Sequence, residues 1–216
     1  MAKYLSFSRV LEHSITTIIV VCAVASAWAA LDGVRRRGAS DQRSIGREPT
    51  KNEWLELTDK SSMPSVVVFS DVECPACREL APQIEQARIA YSGRVRFLLR
   101  NFPLPYHRRA LAAATLIECT SSEHERWLLH NRLLANQDSI IHLDFMQVAF
   151  AAGIGDTVRL RKCANGDHGR QRVERSLELT RALGLAGTPT VLIDGSYVGL
   201  QNLNSLESEI ERVLRK

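Results

Sequence analysis

The sequence predicts an α/β fold: a strand–helix–strand unit, a helical insertion, then a strand–strand–helix unit. Three observations predict it. Val66-Val67-Val68-Phe69 is a short, unbroken apolar run rich in β-branched residues, as in a strand buried on both faces, and a helical period and a second apolar run follow it. Residues 106–184 then turn helical in pattern. Finally, Asp194-Gly195 stands between two short β-type runs, a tight-hairpin signal.

In chain order, the first segment is unlike the rest. Residues 15–31 form an uncharged, largely apolar run preceded by Lys3 and Arg9, with small residues at Ala25-Ser26-Ala27 and Ala27-Trp28-Ala29. That is the layout of a signal peptide, and the run also reaches the lower limit of about 17 residues for a membrane-spanning helix. Residues 1–31 are therefore expected to be a signal peptide or membrane anchor that places the rest in the cell envelope, on the exocytoplasmic side. The excess of Lys and Arg after the run opposes this under the positive-inside rule, an objection that cleavage would weaken. Residues 32–58 carry Gly, Arg, Ser, Asp and Pro without an apolar period and are expected to be a polar linker.

The folded domain is expected at residues 59–216. Pro75 opens a helix to Tyr91 with Leu80, Ala81, Ile84 and Ala87 on one side, and residues 95–99 form the next strand, so the two strands should be parallel. In the insertion, helices are expected over residues 108–119, 127–136, 143–152 and 171–183. Ser122-x-x-Glu125 makes a capping box, and Gly153 and Gly184 make stops. Strands at 190–193 and 197–198 and an amphipathic helix carrying Leu206, Ile210, Val213 and Leu214 close the chain.

A chain of 216 residues can bury one domain with a short extra segment, and its 45% apolar and 24% charged content is that of a globular protein. The formal charge of +4 is concentrated at Arg35-Arg36-Arg37, Arg43, Arg47 and Lys51, with no basic helix or aromatic stripe behind it. No nucleic-acid partner is expected.

Of the five cysteines, Cys22 lies in the apolar run; the remaining four suggest two pairs in an oxidising compartment. Cys74 follows the first strand, and Pro75 suits the first helical position. The Cys74 sulfur should therefore meet the unsatisfied N–H groups and positive dipole end of a helix, which lower a thiol pKa into the range of about 3.5–7.5. Cys77 shares that helix face. Cys74 is expected to be exposed and attacking, Cys77 shielded. A static disulfide or half of a zinc site would use the same spacing, but zinc needs two further ligands, and neither Cys119 nor Cys163 belongs to a second paired motif.

Gly187-Thr188-Pro189-Thr190 precedes the Val191-Leu192-Ile193 run, and with Phe69-Ser70-Asp71, Glu73-Cys74-Pro75-x-Cys77, Pro82, and Arg100-Asn101-Phe102-Pro103-Leu104 with His107 it resembles the thioredoxin superfamily, in its DsbA-like branch with an inserted helical domain. The resemblance covers about residues 60–216. It implies that Cys74, Cys77 and Pro189 are catalytic, that Pro189 is cis and faces the sulfurs, and that Thr188 offers backbone groups to an extended substrate peptide. An ordinary trans proline at a strand start is the plainer alternative. Two departures stand out. The family's buried acid, six residues before the first cysteine, is Val68 here, leaving its proton-moving role vacant or to Asp71, Glu73 or water. Pro75-Ala76 also lacks the histidine of DsbA's own dipeptide.

Cys119 and Cys163 fall in the insertion, either as two unrelated buried thiols or as a second disulfide. His107, His124 and His130 show no ligand spacing and are expected at the surface or at caps. The expected function is a monomeric thiol–disulfide oxidoreductase acting on cysteine-containing exported proteins, more an oxidase than a reductase or isomerase. It would need no cofactor and would work with a membrane redox partner. The alternative is a metallochaperone binding copper or zinc through the same thiols.

Overall fold

The computed structural model describes residues 47, 49–58, 62–199 and 203–215. The apolar run at 15–31, with Cys22 and its signal-peptide or anchor reading, lies outside them. Among the described residues no helix is long and apolar enough to cross a membrane.

Strand β1 (Ser65–Ser70) is buried along its whole length because both of its faces are covered. It pairs in parallel with β2 (Arg96–Asn101) and antiparallel with β3 (Thr190–Ile193), and β4 (Ser196–Tyr197) completes the order β2-β1-β3-β4. Register puts Val68 opposite Leu99 and Val191, so alternate residues serve two cores. Val66 and Val68 join a large cluster with Leu80 and Ile84 of α2 (Pro75–Ala90) and Leu206 and Ile210 of α8 (Leu203–Leu214). Val67 and Phe69 join a smaller one with Leu57, Leu98, Leu183 and Leu192.

Leu57 ends helix α1 (Lys51–Leu57), which lies inside the stretch expected to be linker. The reason is a reciprocal capping box: Thr50 N–H donates to Glu53 Oε2 at 2.8 Å and Glu53 N–H to Thr50 Oγ1 at 3.4 Å. The fully buried Leu57 then docks α1 on the sheet, and the buried Arg100 guanidinium donates to the Leu57 carbonyl.

The insertion holds α3 (Ala110–Glu118), α4 (Glu123–Ala135), a 3₁₀ turn (Gln137–His142), α5 (Phe145–Ala151), α6 (Thr157–Asn165) and α7 (Asp167–Leu183). Ser122 caps α4 by accepting from Glu125 N–H at 3.1 Å, while the Glu125 carboxylate reaches one residue further, to Ser121 N–H at 2.7 Å. The 3₁₀ turn and α6 are absent from the sequence reading, and α7 starts four residues earlier than expected. Among its nine residues α6 buries only Leu160, so it shows almost no apolar stripe.

Among the bonds that fasten the insertion to itself and to the sheet, three stand out. Trp127 Nε1 donates to Phe97 O at 3.2 Å, and Ser176 Oγ to Asn101 O at 2.7 Å, both on β2. The third is a disulfide between Cys119, at the end of α3, and Cys163 in α6, with Cα atoms 5.7 Å apart. Beside it Gly169 lets α7 approach α3. A Cβ there would stand 2.7 Å from Cys119 Sγ and 2.8 Å from Thr115 O.

Candidate active site

β1 ends at Ser70, and a three-residue loop carries the chain to Cys74, the N-cap of α2, with Pro75 at the first helical position. Cys74 is extended (φ −78°, ψ 119°), as an N-cap is, and no side chain caps this helix start. The chain returns to the same place far later in sequence. Gly184 (φ 67°) stops α7 in the left-handed region, and the Thr188–Pro189 peptide bond before β3 is cis. Cys74 Sγ lies 3.2 Å from Thr188 O, a contact spanning 114 residues. Cys74, Cys77, Thr188 and Pro189 thus meet at one end of β1 and β3.

Both sulfurs are free thiols. Cys74 is expected to be exposed from its helix-start position, yet it is only 7% accessible, against 3% for Cys77. The Thr188 loop covers it, and Gln137 Nε2 of the 3₁₀ turn holds the loop backbone by donating to Val72 O (2.8 Å) and Cys74 O (3.0 Å). Pro75 and Ala76 remain exposed beside the pair.

The two thiols differ electrostatically far more than in exposure. Cys74 is lowered to about 5, first by the hydrogen bond from the Cys77 thiol, then by the Thr188 side chain and the N–H groups of Cys77 and Ala76, against the cost of burial. The Thr188 hydroxyl is buried and has no other partner among the described residues, so it is available to the sulfur. Burial pushes Cys77 up, and so does the bond that it gives to Cys74; the Asp71 backbone and the Ser70 side chain oppose this weakly. One sulfur is a thiolate at neutral pH and the other holds its proton.

Val68, where the acid of the resemblance is missing, packs in the large core. Neither nearby acid replaces it at Cys77. Asp71 Oδ1 accepts from Glu73 N–H (2.8 Å), while Oδ2 accepts from Leu104 N–H (2.7 Å) and meets His107 Nδ1 (2.8 Å). Glu73 Oε2 accepts from Arg109 N–H at 2.6 Å. Both carboxylates pin the cysteine loop to the start of the insertion.

Two histidines depart from the surface-or-cap expectation. His107 is mostly covered and paired with Asp71, and His130 is 3% accessible with Nε2 at 2.8 Å from Ser70 Oγ. Of the three, His124 is the exposed one. A readable signal for His130 existed: Trp127, Leu133 and Leu134 place it on the apolar stripe of α4. Among the described residues no cluster of three His, Cys, Asp or Glu stands where it could hold a metal ion.

The sheet brings two sulfurs at a helix start against a cis-proline loop, which is the arrangement of a thioredoxin-fold protein. The family model described as thioredoxin matches residues 58–212, and the chain belongs to that family. Among curated proteins it is similar to the Na(+)/H(+) antiporter NhaA 3 of Salinispora tropica, 28% identical over 148 residues, and to NhaA 1 of Salinispora arenicola, 26% identical over 148 residues. Each match covers 68% of this chain and 22% of the relative, so the chain spans about a fifth of their length. Among solved structures, the thiol-disulfide exchange protein alpha-DsbA2 of Wolbachia pipientis has a TM-score of 0.62 at 20% identity, covering 82% of this chain and 98% of that one. A periplasmic thioredoxin-like protein of Salmonella enterica serovar Typhimurium gives 0.62 at 20%, covering 79% and 100%. Oxidised BdbD of Bacillus subtilis gives 0.62 at 18%, covering 80% and 99%. At these identities the likeness is one of fold.

Proposed function

We propose that the chain is a thiol–disulfide oxidoreductase of the cell envelope, exchanging disulfides with exported proteins through Cys74 and Cys77. The observation that carries this is the split between the two thiols, with Cys74 held near 5 and Cys77 protonated. In the oxidising direction a substrate thiolate attacks Cys74 of the Cys74–Cys77 bond, and Cys77 leaves. A second substrate thiolate then attacks the substrate sulfur of the mixed disulfide and releases Cys74 as a thiolate. Stabilising that leaving thiolate favours the reduced enzyme and therefore supports oxidation as the working direction. Pro189 and the Thr188 backbone line the place where an extended substrate peptide would dock, in the manner of strand addition. A membrane redox partner would restore the pair, and residues 1–31 would serve as signal peptide or anchor ahead of the 32–58 segment and the domain at 59–216.

Two measurements test the reading. Carbamidomethylation of the reduced protein should follow Cys74 ionisation with a midpoint near pH 5, with Cys77 silent throughout the neutral range. A midpoint at the free-thiol value of about 8.5 would remove the basis for the mechanism. Equilibration with glutathione should give a potential well above that of thioredoxin, about −270 mV; a lower one would reverse the direction. For the envelope location, an export-dependent reporter fused after residue 58 should be active, and activity only from a cytoplasm-dependent one would refute it.

A further inference from the structure

Apart from the active pair, the insertion carries an open cavity of about 670 Å³ lined from α3, α5, α6 and α7. Its bottom and its rim differ in kind. The bottom is apolar, with the buried Leu116 of α3 and Phe145 of α5. The rim is cationic, with the exposed Arg108 ahead of α3, Arg161 of α6 and Arg170 of α7.

These three arginines stand apart from others in the chain. Arg88 pairs with Glu85, Arg126 with Glu118 and Arg181 with Glu174, whereas Arg108, Arg161 and Arg170 have no acceptor among the described residues. The cavity's fourth arginine, Arg109, is spent on shaping it. Its guanidinium lies 4.3 Å from the Phe145 ring centroid and donates to Ile141 O (2.8 Å) and Leu143 O (3.0 Å). Of the two carboxylates at the cavity, Asp144 caps α5 by accepting from Met146 N–H at 2.8 Å, which leaves Asp167 against three cations. The apolar lining also runs on past the cavity. Phe150 follows Met146 by one turn of α5, and Val158 precedes Arg161 by one turn of α6. Both are bare, at 71% and 80% accessible.

The groove is tied to the cysteine loop. Arg109 N–H donates to Glu73, the residue before Cys74, at 2.6 Å. Leu143 of the cavity ends the 3₁₀ turn whose first residue, Gln137, donates to Cys74 O. That turn is about 12 Å of chain at roughly 2 Å per residue, a span that about four residues of extended peptide cover.

We propose that this groove docks an acidic, apolar-anchored segment of the exported proteins on which the active pair acts. Its carboxylates meet Arg108, Arg161 and Arg170, and its apolar side chains enter the cavity and cover Phe150 and Val158. The inference rests on the exchange chemistry proposed above and deepens it by naming a substrate class. The hollow favours a peptide over a lipid surface, because a side chain fills a concavity that a bilayer face would bridge.

The test uses two synthetic peptides of equal length, each with Leu and Phe at helical spacing and one cysteine activated as its pyridyl disulfide. One carries Glu at the remaining positions and the other carries Gln. Attack by the Cys74 thiolate of the reduced protein forms the Cys74–peptide disulfide, and the pyridyl sulfur leaves with the electrons of the broken bond as thiopyridone, whose absorbance gives the rate. At low salt the Glu peptide should half-saturate at about a 10-fold lower concentration than the Gln peptide, and added salt should close most of that gap. Arg108→Glu, Arg161→Glu and Arg170→Glu combined should erase the preference, with the limiting rate and the rate on dipyridyl disulfide, a small neutral substrate, unchanged. Phe150→Ser with Val158→Ser should weaken both peptides alike, about 5-fold. All five side chains are exposed, so the replacements leave the core intact. Equal use of the two peptides by the wild type, or a preference that survives the triple replacement, overturns the docking site. So does retention on phosphatidylglycerol vesicles without discrimination between the peptides, which would give the face to a lipid surface. A reaction with dipyridyl disulfide no faster at neutral pH than that of free cysteine would instead overturn the oxidoreductase reading.

Discussion

The chain holds two cysteine pairs among its described residues, and their surroundings are opposites. Cys74 and Cys77 sit at a helix start, where the Cys74 sulfur faces the Thr188 hydroxyl and the N–H groups of Ala76 and Cys77 and its thiol donates to the Thr188 carbonyl, with Pro75 and Ala76 open to water between the pair. Cys119 and Cys163 are bonded to each other between α3 and α6, with Gly169 in the first turn of α7 pressed against the Cys119 sulfur. The first setting stabilises a charge on sulfur and so favours exchange. The second closes a chain segment of 44 residues with a formed bond. Compartment chemistry treats the four sulfurs alike; the local backbone leaves one pair as free thiols at a helix start and makes the other a staple.

The contrast can be broken most sharply at the nucleophile. Cys74→Ser should lower exchange activity on the order of 10⁴-fold, whereas Cys77→Ser should accumulate mixed disulfides through Cys74, detectable by non-reducing electrophoresis. Adducts through Cys77 or Cys163 with Cys74 dispensable would invert the assignment. At the staple, replacing both Cys119 and Cys163 by Ala should cost about 4 kcal/mol of stability, as expected for a loop of this length, and leave the Cys74 alkylation profile in place. Denaturant titration measures the first and the pH-dependent alkylation rate the second.

Acid should also separate the two regions. Unfolded histidine titrates near 6.5, and burial depresses His130 to about 4. The folded state therefore draws its full benefit above about pH 6.5 and loses it as pH falls toward 4, on the order of 3 kcal/mol. His130→Gln should flatten that acid limb in denaturant titrations at several pH values, and an unchanged limb would place the acid sensitivity elsewhere. The smallest effect is steric. Gly169→Ala should cost about 2 kcal/mol, because the new methyl meets the Thr115 carbonyl, which is backbone and cannot swing aside.

The parts of the fold legible in sequence were those carried by short-range patterns. The β-branched run became β1, Asp194-Gly195 became a turn with both residues at positive φ (50° and 86°), and the 3.6-residue period became α2 and α8. α1 hid in a charged stretch although Thr50 and Glu53 were present to cap it. At the site, Cys74, Cys77, Thr188 and Pro189 were legible as motifs. The bond from His130 to Ser70 joins residues 60 apart in sequence, and no spacing rule announces such a pair. The covering of Cys74 was invisible for the same reason, because the cover arrives from Thr188.

That long reach has a consequence in time. The cysteine loop leaves the ribosome well before the residues that shelter it, with the whole insertion still to be made. Closing so long a loop costs more entropy than any local contact in α2 and is a slow event in folding. Until it closes, Cys74 has its helix end and the bond from Cys77 but lacks the Thr188 hydroxyl and the cover of that loop. The Thr188 share of the thiolate's stabilisation, and the shelter over the sulfur, are then late gains of folding.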